Sequence, residues 1–302
     1  MTMHRWLFYK PQRWKKIPQD KFYVAEAYLK AKERLCVTAC ARFLNIRESR
    51  GHVWYLGGSE HSAESRTGGS LSDTAISALL IHSRLSLFPI FNKNRDIPGP
   101  RFLRRFLGKI PIHALQGLRE DAELLEILLE DQGYFVAERI DFDLMSLDTA
   151  PRAEALSAGP AGLILRSPLP ADEEYLFALQ SAYEQEEVLP KNASFYPAAC
   201  RMNLEHIISS ERILVAELDG QVVGKINTSA ETFTRYQVGG VYVRPDCRGL
   251  GIALKMTAVF VQNLLSHGKG ITLFVKKRNT AACAVYRKAG FIVEDDYRIS
   301  YY

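Results

Sequence analysis

The sequence predicts an α/β chain (a mixed α+β sheet) in two parts, on three observations. Over residues 163–302 the apolar pattern reads β-α-α-β-β-β-α-β-α-β. Inside that order, V-Y-V-R-P-D-C-R-G-L-G-I-A at 241–253 runs from a β-branched strand through a glycine turn straight into the apolar-periodic run 254–266. Ahead of it, T-A-P-R-A-E-A-L-S-A-G-P-A-G at 149–162 is rich in Ala, Pro and Gly and has little to bury, which reads as a linker. The expected domains are therefore 1–148 and 163–302.

In the first half, Phe22, Ala25, Tyr28, Leu29 and Leu35 recur at helical spacing and predict one long helix, or two in succession, over 18–44. Strands are expected over 52–56, 74–82, 85–91 and 110–115, with a Gly/Ser/Thr-rich loop over 57–72 and a turn over 92–100. A helix over 119–131 should end at Gly133, and a strand over 134–144 should follow. The run R-F-L-R-R-F at 101–106 reads as one turn of basic amphipathic helix, a surface feature first and a membrane or RNA contact second.

In the second half the expected elements are a strand over 163–166, helices over 171–183 and 196–209, and a hairpin of 213–218 with 221–229 about the turn Asp219-Gly220. A strand over 237–244 leads into the glycine turn. Then come a strand over 270–276, a helix over 280–288 and one or two closing strands over 291–302.

The chain has 302 residues, ample for two cores, with 47% hydrophobic and 24% charged residues, an ordinary globular balance. No run of eighteen apolar residues occurs, so no membrane span is expected, and the basic start at 1–16 has too short an apolar piece for a signal peptide. Five cysteines without a C-x-x-C pair, and scattered histidines, argue against a disulfide framework or a zinc site. A cytoplasmic location is the expectation. A net charge of +5 suits local binding of a polyanionic ligand and falls short of a nucleic-acid binder.

Glycines at the 241–253 turn let the backbone approach a ligand, and the N–H groups of the first helical turn, at the positive end of the helix dipole, suit a pyrophosphate. The order Arg248-Gly249-Leu250-Gly251-Ile252-Ala253 resembles the R/Q-x-x-G-x-G/A acyl-CoA loop of the GNAT superfamily of N-acetyltransferases. Neither G-x-x-x-x-G-K-S/T nor G-x-G-x-x-G is present. Further along, Asn279, Ala282, Tyr286, Gly290 and Phe291 match that family's N-x-x-A-x-x-x-Y-x-x-x-G-F pattern. The resemblance covers 162–302. The first half resembles a degenerate copy without the loop, as in tandem proteins of the family, which also share the acidic Y-x-x-E-E-V found at Tyr183–Val188.

The resemblance implies acetyl-CoA as co-substrate and no metal. It implies that the backbone of Val241 and Val243 runs along pantetheine, with an N–H at Val241 or Tyr242 polarising the thioester oxygen. Arg248, Gly249, Leu250, Gly251, Ile252 and Ala253 would hold the pyrophosphate, and Asn279 and Ala282 would close the cofactor site, Asn279 being alternatively a plain helix cap. Tyr286 matches the family's general acid, against an aromatic core residue. Glu186, Glu187 and Glu217 are the candidate bases, with Glu186 and Glu187 favoured by the acidic stretch, which also reads as a solvated helix end or as a cradle for the acceptor's positive charge. Gly239-Gly240 reads as a close approach or a bulge, and Cys247 as a small turn residue. The function implied is N-acetyl transfer to a small amine, an amino acid or a peptide terminus. A non-catalytic acyl-CoA sensor is the alternative, and a long-chain acyl-CoA or an aminoacyl-tRNA donor a third reading.

Overall fold

The computed structural model describes residues 14–46, 51–57, 76–91, 98–107, 110–191 and 193–302. The basic start over 1–13, the loop over 58–72 and the turn over 92–97 lie outside the described residues. The chain divides into two compact units, Met1–Asp141 with Asp296–Tyr302, and Phe142–Asp295.

The first unit holds β1 (Lys15–Lys16), α1 (Phe22–Leu44), β2 (His52–Gly57), β3 (Ile76–Ser83), β4 (Ser86–Ile90), α2 (Pro100–Leu107), β5 (Ala114–Leu118) and α3 (Arg119–Glu130). β1 to β4 pair antiparallel in sequence order, and β5 joins β4 in parallel. β5 starts later than the expected 110–115, since Pro111 offers no N–H to a ladder and pairing begins only at Ala114. α3 ends as expected: Gly133, at φ 87°, turns the chain so that the Tyr134 N–H donates to the Leu129 carbonyl. Trp14, Trp54, Leu80, Leu103, Leu115 and Leu125 lead its core.

The strand expected over 134–144 is β6 (Glu138–Leu147). Its residues 142–147 pair antiparallel with 271–276, so they belong to the second unit, although the expected first domain extended to 148. The segment 149–162, expected to have little to bury, is also part of that unit. It contains α4 (Ala153–Leu156) with Ala155 buried, and the Arg152 N–H donates to the Ala289 carbonyl at 3.1 Å.

There follow β7 (Ile164–Arg166), α5 (Glu173–Tyr183), a π-helical turn Glu184–Val188, α6 (Pro197–Ser210), β8 (Ile213–Leu218), β9 (Gln221–Glu231), β10 (Arg235–Val243), α7 (Ile252–Leu265), β11 (Gly270–Lys276), α8 (Thr280–Ala289) and β12 (Ile292–Tyr301). The single closing strand β12 begins in the second unit and ends in the first, where Tyr297–Tyr301 pair with β5. The second unit's strands run β6-β11-β10-β9-β8-β7, all neighbours antiparallel except the β10–β11 pair. α7 buries Ile252, Met256, Phe260, Val261 and Leu264, one stripe at helical spacing, against that sheet. Each such side chain contributes roughly 1.5–3 kcal/mol.

Candidate active site

The parallel pair sets the site. Arg235–Val238 pair with Gly270–Leu273 and the ladder between β10 and β11 stops there. On its other side β10 slips against β9: Gly239 faces Asn227 and Tyr242 faces Lys225, so Gly240 and Val241 stand opposite Ile226 alone. That is a β-bulge, the second of the two readings of Gly239-Gly240. A cavity of about 420 Å³ opens where the strands part.

At one end of the cavity lies the start of α7. Gly251 is its N-cap at φ 79° and Gly249 has φ 82°, backbone conformations that a side chain resists. A Cβ on Gly251 would also come 2.9 Å from the Gly159 backbone nitrogen. The first helical hydrogen bond is from the Lys255 N–H to the Gly251 carbonyl, so the N–H groups of the preceding turn have no helical acceptor. Together with Arg248 they form a positive concavity.

The residues expected at the site line this cavity except Leu250, whose side chain is exposed, and Glu217. Glu217 lies elsewhere, its carboxylate 2.7 Å from Arg166 Nε. Ala281 and Val285, four residues apart on one face of α8, also line it, a spacing that could have flagged them; so does Lys288, which with Arg287 reads from the sequence as a solvated helix face first and a phosphate contact second. Cys247 lines it too, buried in the turn as a small residue.

Glu186 and Glu187, on the π-helical turn, differ sharply in their surroundings. Glu186 accepts from the Tyr242 hydroxyl at 2.6 Å and from Arg248 at 2.9 Å. Burial raises its pKa, but these two donors outweigh it and hold the carboxyl below the usual carboxylate range. Burial and the Glu186 carboxylate in turn push the Tyr242 phenol up to about 12. Glu187 accepts from Asn279 Nδ2 at 2.9 Å and lies 3.6 Å from Lys276 Nζ. Asn279 Oδ1 meanwhile accepts the Ala282 N–H at 3.0 Å, so Asn279 is the cap of α8 and also orients Glu187.

Tyr286 is buried against Phe291, with ring centroids 5.8 Å apart, while still lining the cavity. Burial, with smaller contributions from Tyr183, Glu187 and Cys283, pushes its phenol well above the usual tyrosine value, so it carries its proton at neutral pH. No group of acids, histidines and cysteines suited to a metal ion occurs among the described residues. No described helix is long and apolar enough to cross a membrane.

Residues 174–291 match the sequence profile of the Acetyltransferase (GNAT) family. No curated protein matches the chain. Among solved structures, a GCN5-related N-acetyltransferase from Sphaerobacter thermophilus is similar at 20% identity, covering 96% of this chain and 95% of its own, with a TM-score of 0.57. A tandem GNAT protein from the clavulanic acid biosynthesis pathway is similar at 14% identity, covering 95% and 97%, with a TM-score of 0.56. A Drosophila protein is similar at 11% identity over 96% and 99%, with a TM-score of 0.60. These likenesses extend over nearly the whole chain, as two GNAT-like halves require.

Proposed function

We infer, for a chain that belongs to the GNAT superfamily by residues 174–291, that it is an acetyl-CoA-dependent N-acetyltransferase acting on a primary amine. The observation that carries this reading is one cavity lined both by a positive helix start and by Tyr286 and Glu187. The turn with its two left-handed glycines and the 420 Å³ of space fit an extended ligand with a diphosphate.

Bound acetyl-CoA supplies an acyl group activated as a thioester. The N–H groups ahead of Lys255 and the Arg248 guanidinium receive the diphosphate, and the backbone of Val241 and Val243 flanks the pantetheine arm. The Val241 N–H is the donor for the oxygen on which charge develops. Glu187 takes the proton of the attacking ammonium, since Asn279 fixes it with lone pairs to spare, whereas Glu186 is committed to Tyr242 and Arg248. Tyr286 gives its proton to the sulfur as the N–C bond forms and the C–S bond breaks. On becoming an amide the nitrogen sheds a second proton, which restores the phenol, and Glu187 releases its own proton to solvent before the next turnover. The acceptor is a small amine, an amino acid or a peptide terminus.

Calorimetric titration with acetyl-CoA, followed by free-thiol release against a panel of amines, tests the reading. Binding with thiol release is the expected result. Binding without release for any amine favours a non-catalytic acyl-CoA sensor, and no binding overturns the reading.

A further inference from the structure

Behind the cavity, on β9, lies an amine that acyl transfer as described leaves unused. Lys225 is 0% exposed. Its Nζ donates to the Gly240 carbonyl at 3.0 Å and to Asn227 Oδ1 at 3.0 Å, and sits 5.1 Å from the centre of the Tyr183 ring. The Gly240 N–H in turn donates to the Tyr183 hydroxyl at 3.4 Å. Both backbone groups of this bulge residue are therefore taken by side chains. The fit is tight: a Cβ on Gly240, whose φ is 61°, would come 1.9 Å from Asn227 Oδ1 and 2.8 Å from Lys225 Nζ. Burying an amine this completely costs several kcal/mol that an apolar side chain would not.

The Gly240 carbonyl and the Val241 N–H belong to one peptide plane. No cis peptide occurs, and in a trans peptide these two groups point in opposite directions. A hold on the carbonyl from the Lys225 side therefore aims the N–H away from Lys225, and Val241 lines the cavity. We propose that Lys225 is a positioning residue for acyl transfer: by gripping the Gly240 carbonyl it locks the peptide that presents the Val241 N–H to the thioester oxygen. The proposal rests on the acetyl-CoA reading of the cavity for its purpose and on the bulge geometry for its mechanism.

The charged and titratable groups that face Lys225 are Tyr183 from α5, Glu184 from the π-helical turn and Cys200 from α6, with the Gly240 carbonyl from β10. Burial brings the Lys225 pKa down to about 7, against the opposing pull of Glu184 and Cys200. An ammonium is the stronger donor, so the grip on the carbonyl tightens as pH falls through neutrality.

The test uses the full chain, isotope-labelled and ligand-free. The Gly240 and Val241 amide resonances of the wild type are followed across neutral pH, beside kcat and KM for acetyl-CoA of wild type and Lys225→Met. Both amides should move with an inflection near pH 7, while the Tyr236 amide at the far end of β10 stays still. Lys225→Met should abolish that inflection and lower kcat on the order of tenfold with KM nearly unchanged. A wild-type Val241 amide without the inflection overturns the proposal, and this needs no variant to fold. Lys225→Met turning over at the wild-type rate overturns it as well. Wild type that fails to bind acetyl-CoA, with the amide response intact, overturns the acyl-transfer reading and the catalytic purpose with it, and leaves the anchoring of the peptide standing.

Discussion

The two units use the same device, a parallel strand pair joined through a helix, and among the described residues only the second makes a sizeable cavity of it. In the first, Ser86–Leu87 pair with Ala114–Leu115 and then the ladder ends. In the second, four pairs precede the parting. What differs is how the freed backbone is treated. The first unit places Pro89, which has no N–H, where β4 leaves β5, and Gly117 packs so close that a Cβ there would lie 3.2 Å from the Pro89 carbonyl oxygen. The Phe91 N–H is capped by Asp121 at 3.0 Å. About 40 Å³ remains, against about 420 Å³ in the second unit. Its crossover helix α2 has 8 residues, against 14 in α7, which starts from a left-handed glycine. A parting pair of strands becomes a binding site only where the sequence leaves its backbone groups open and brings a helix start to them.

The sharpest way to erase this difference is Gly251→Val. The variant puts a β-branched side chain at φ 79° and a Cβ against the Gly159 backbone, so the loop and the segment at 159 cannot both keep their places. Acetyl-CoA binding by calorimetry should be lost, while the first unit keeps its hydrogen-exchange protection. Retained binding would end the assignment of the loop.

Tyr286→Phe leaves the cavity's shape intact and removes only the phenolic proton. Turnover should fall on the order of a hundredfold, the range of a general acid, with acetyl-CoA affinity unchanged. Thiol release at the wild-type rate would return Tyr286 to a purely packing role.

The asymmetry between the units was legible in the sequence where the signal is local. The Arg248–Ala253 order and the Asn279-to-Phe291 spacing identified the second unit's loop and helix, and the missing loop marked the first half as degenerate. The division of the chain was less legible. Residues 149–162 look bare in composition, yet the Arg152 N–H is taken by the end of α8 and Ala155 is buried, and 142–147 are claimed by β11 through pairing as distant as Phe142 with Lys276, 134 residues away, which no local pattern encodes. Lys225 carries no local signal, because one lysine in a strand reads as solvated and only the bulge at Gly240 gives it a carbonyl to hold.

Acid and alkali should separate the units. In the first, burial, aided at His52 by Lys16 and His82, depresses His52 and His82 below the ordinary 6.5, so its stability is fully present above that value and falls as pH drops below it. In the second, Lys225 titrates near 7 when folded and at the ordinary 10.5 when unfolded. Between 7 and about 9 the unfolded chain binds the additional proton, so stability rises with pH by about 1 kcal/mol per pH unit; above that, the thiols of Cys200 and Cys283 and the phenols of Tyr183, Tyr242 and Tyr286, raised by burial from 9.0 and 10.0, work against it. Local hydrogen exchange measured against pH should show each slope in its own unit, and Lys225→Met should flatten the second. A second unit indifferent to pH between 7 and 9, below the thiols' ordinary range, would mean that Lys225 is not desolvated.

The smallest expected effect concerns the cation at the mouth of the open cavity. Arg248 is held by Glu186 at 2.9 Å with both side chains nearly half exposed, a pairing worth roughly 0–1 kcal/mol. A diphosphate must compete with that carboxylate for the same guanidinium. Glu186→Gln keeps an oxygen for the Tyr242 hydroxyl and removes the competing charge, so acetyl-CoA should bind up to about fivefold more tightly. The gain should shrink as added salt screens the pair, because the groups are open to solvent. Weaker binding in Glu186→Gln would instead mean that the carboxylate preorganises Arg248 for the ligand, making the pair a built part of the site rather than a rival to its substrate.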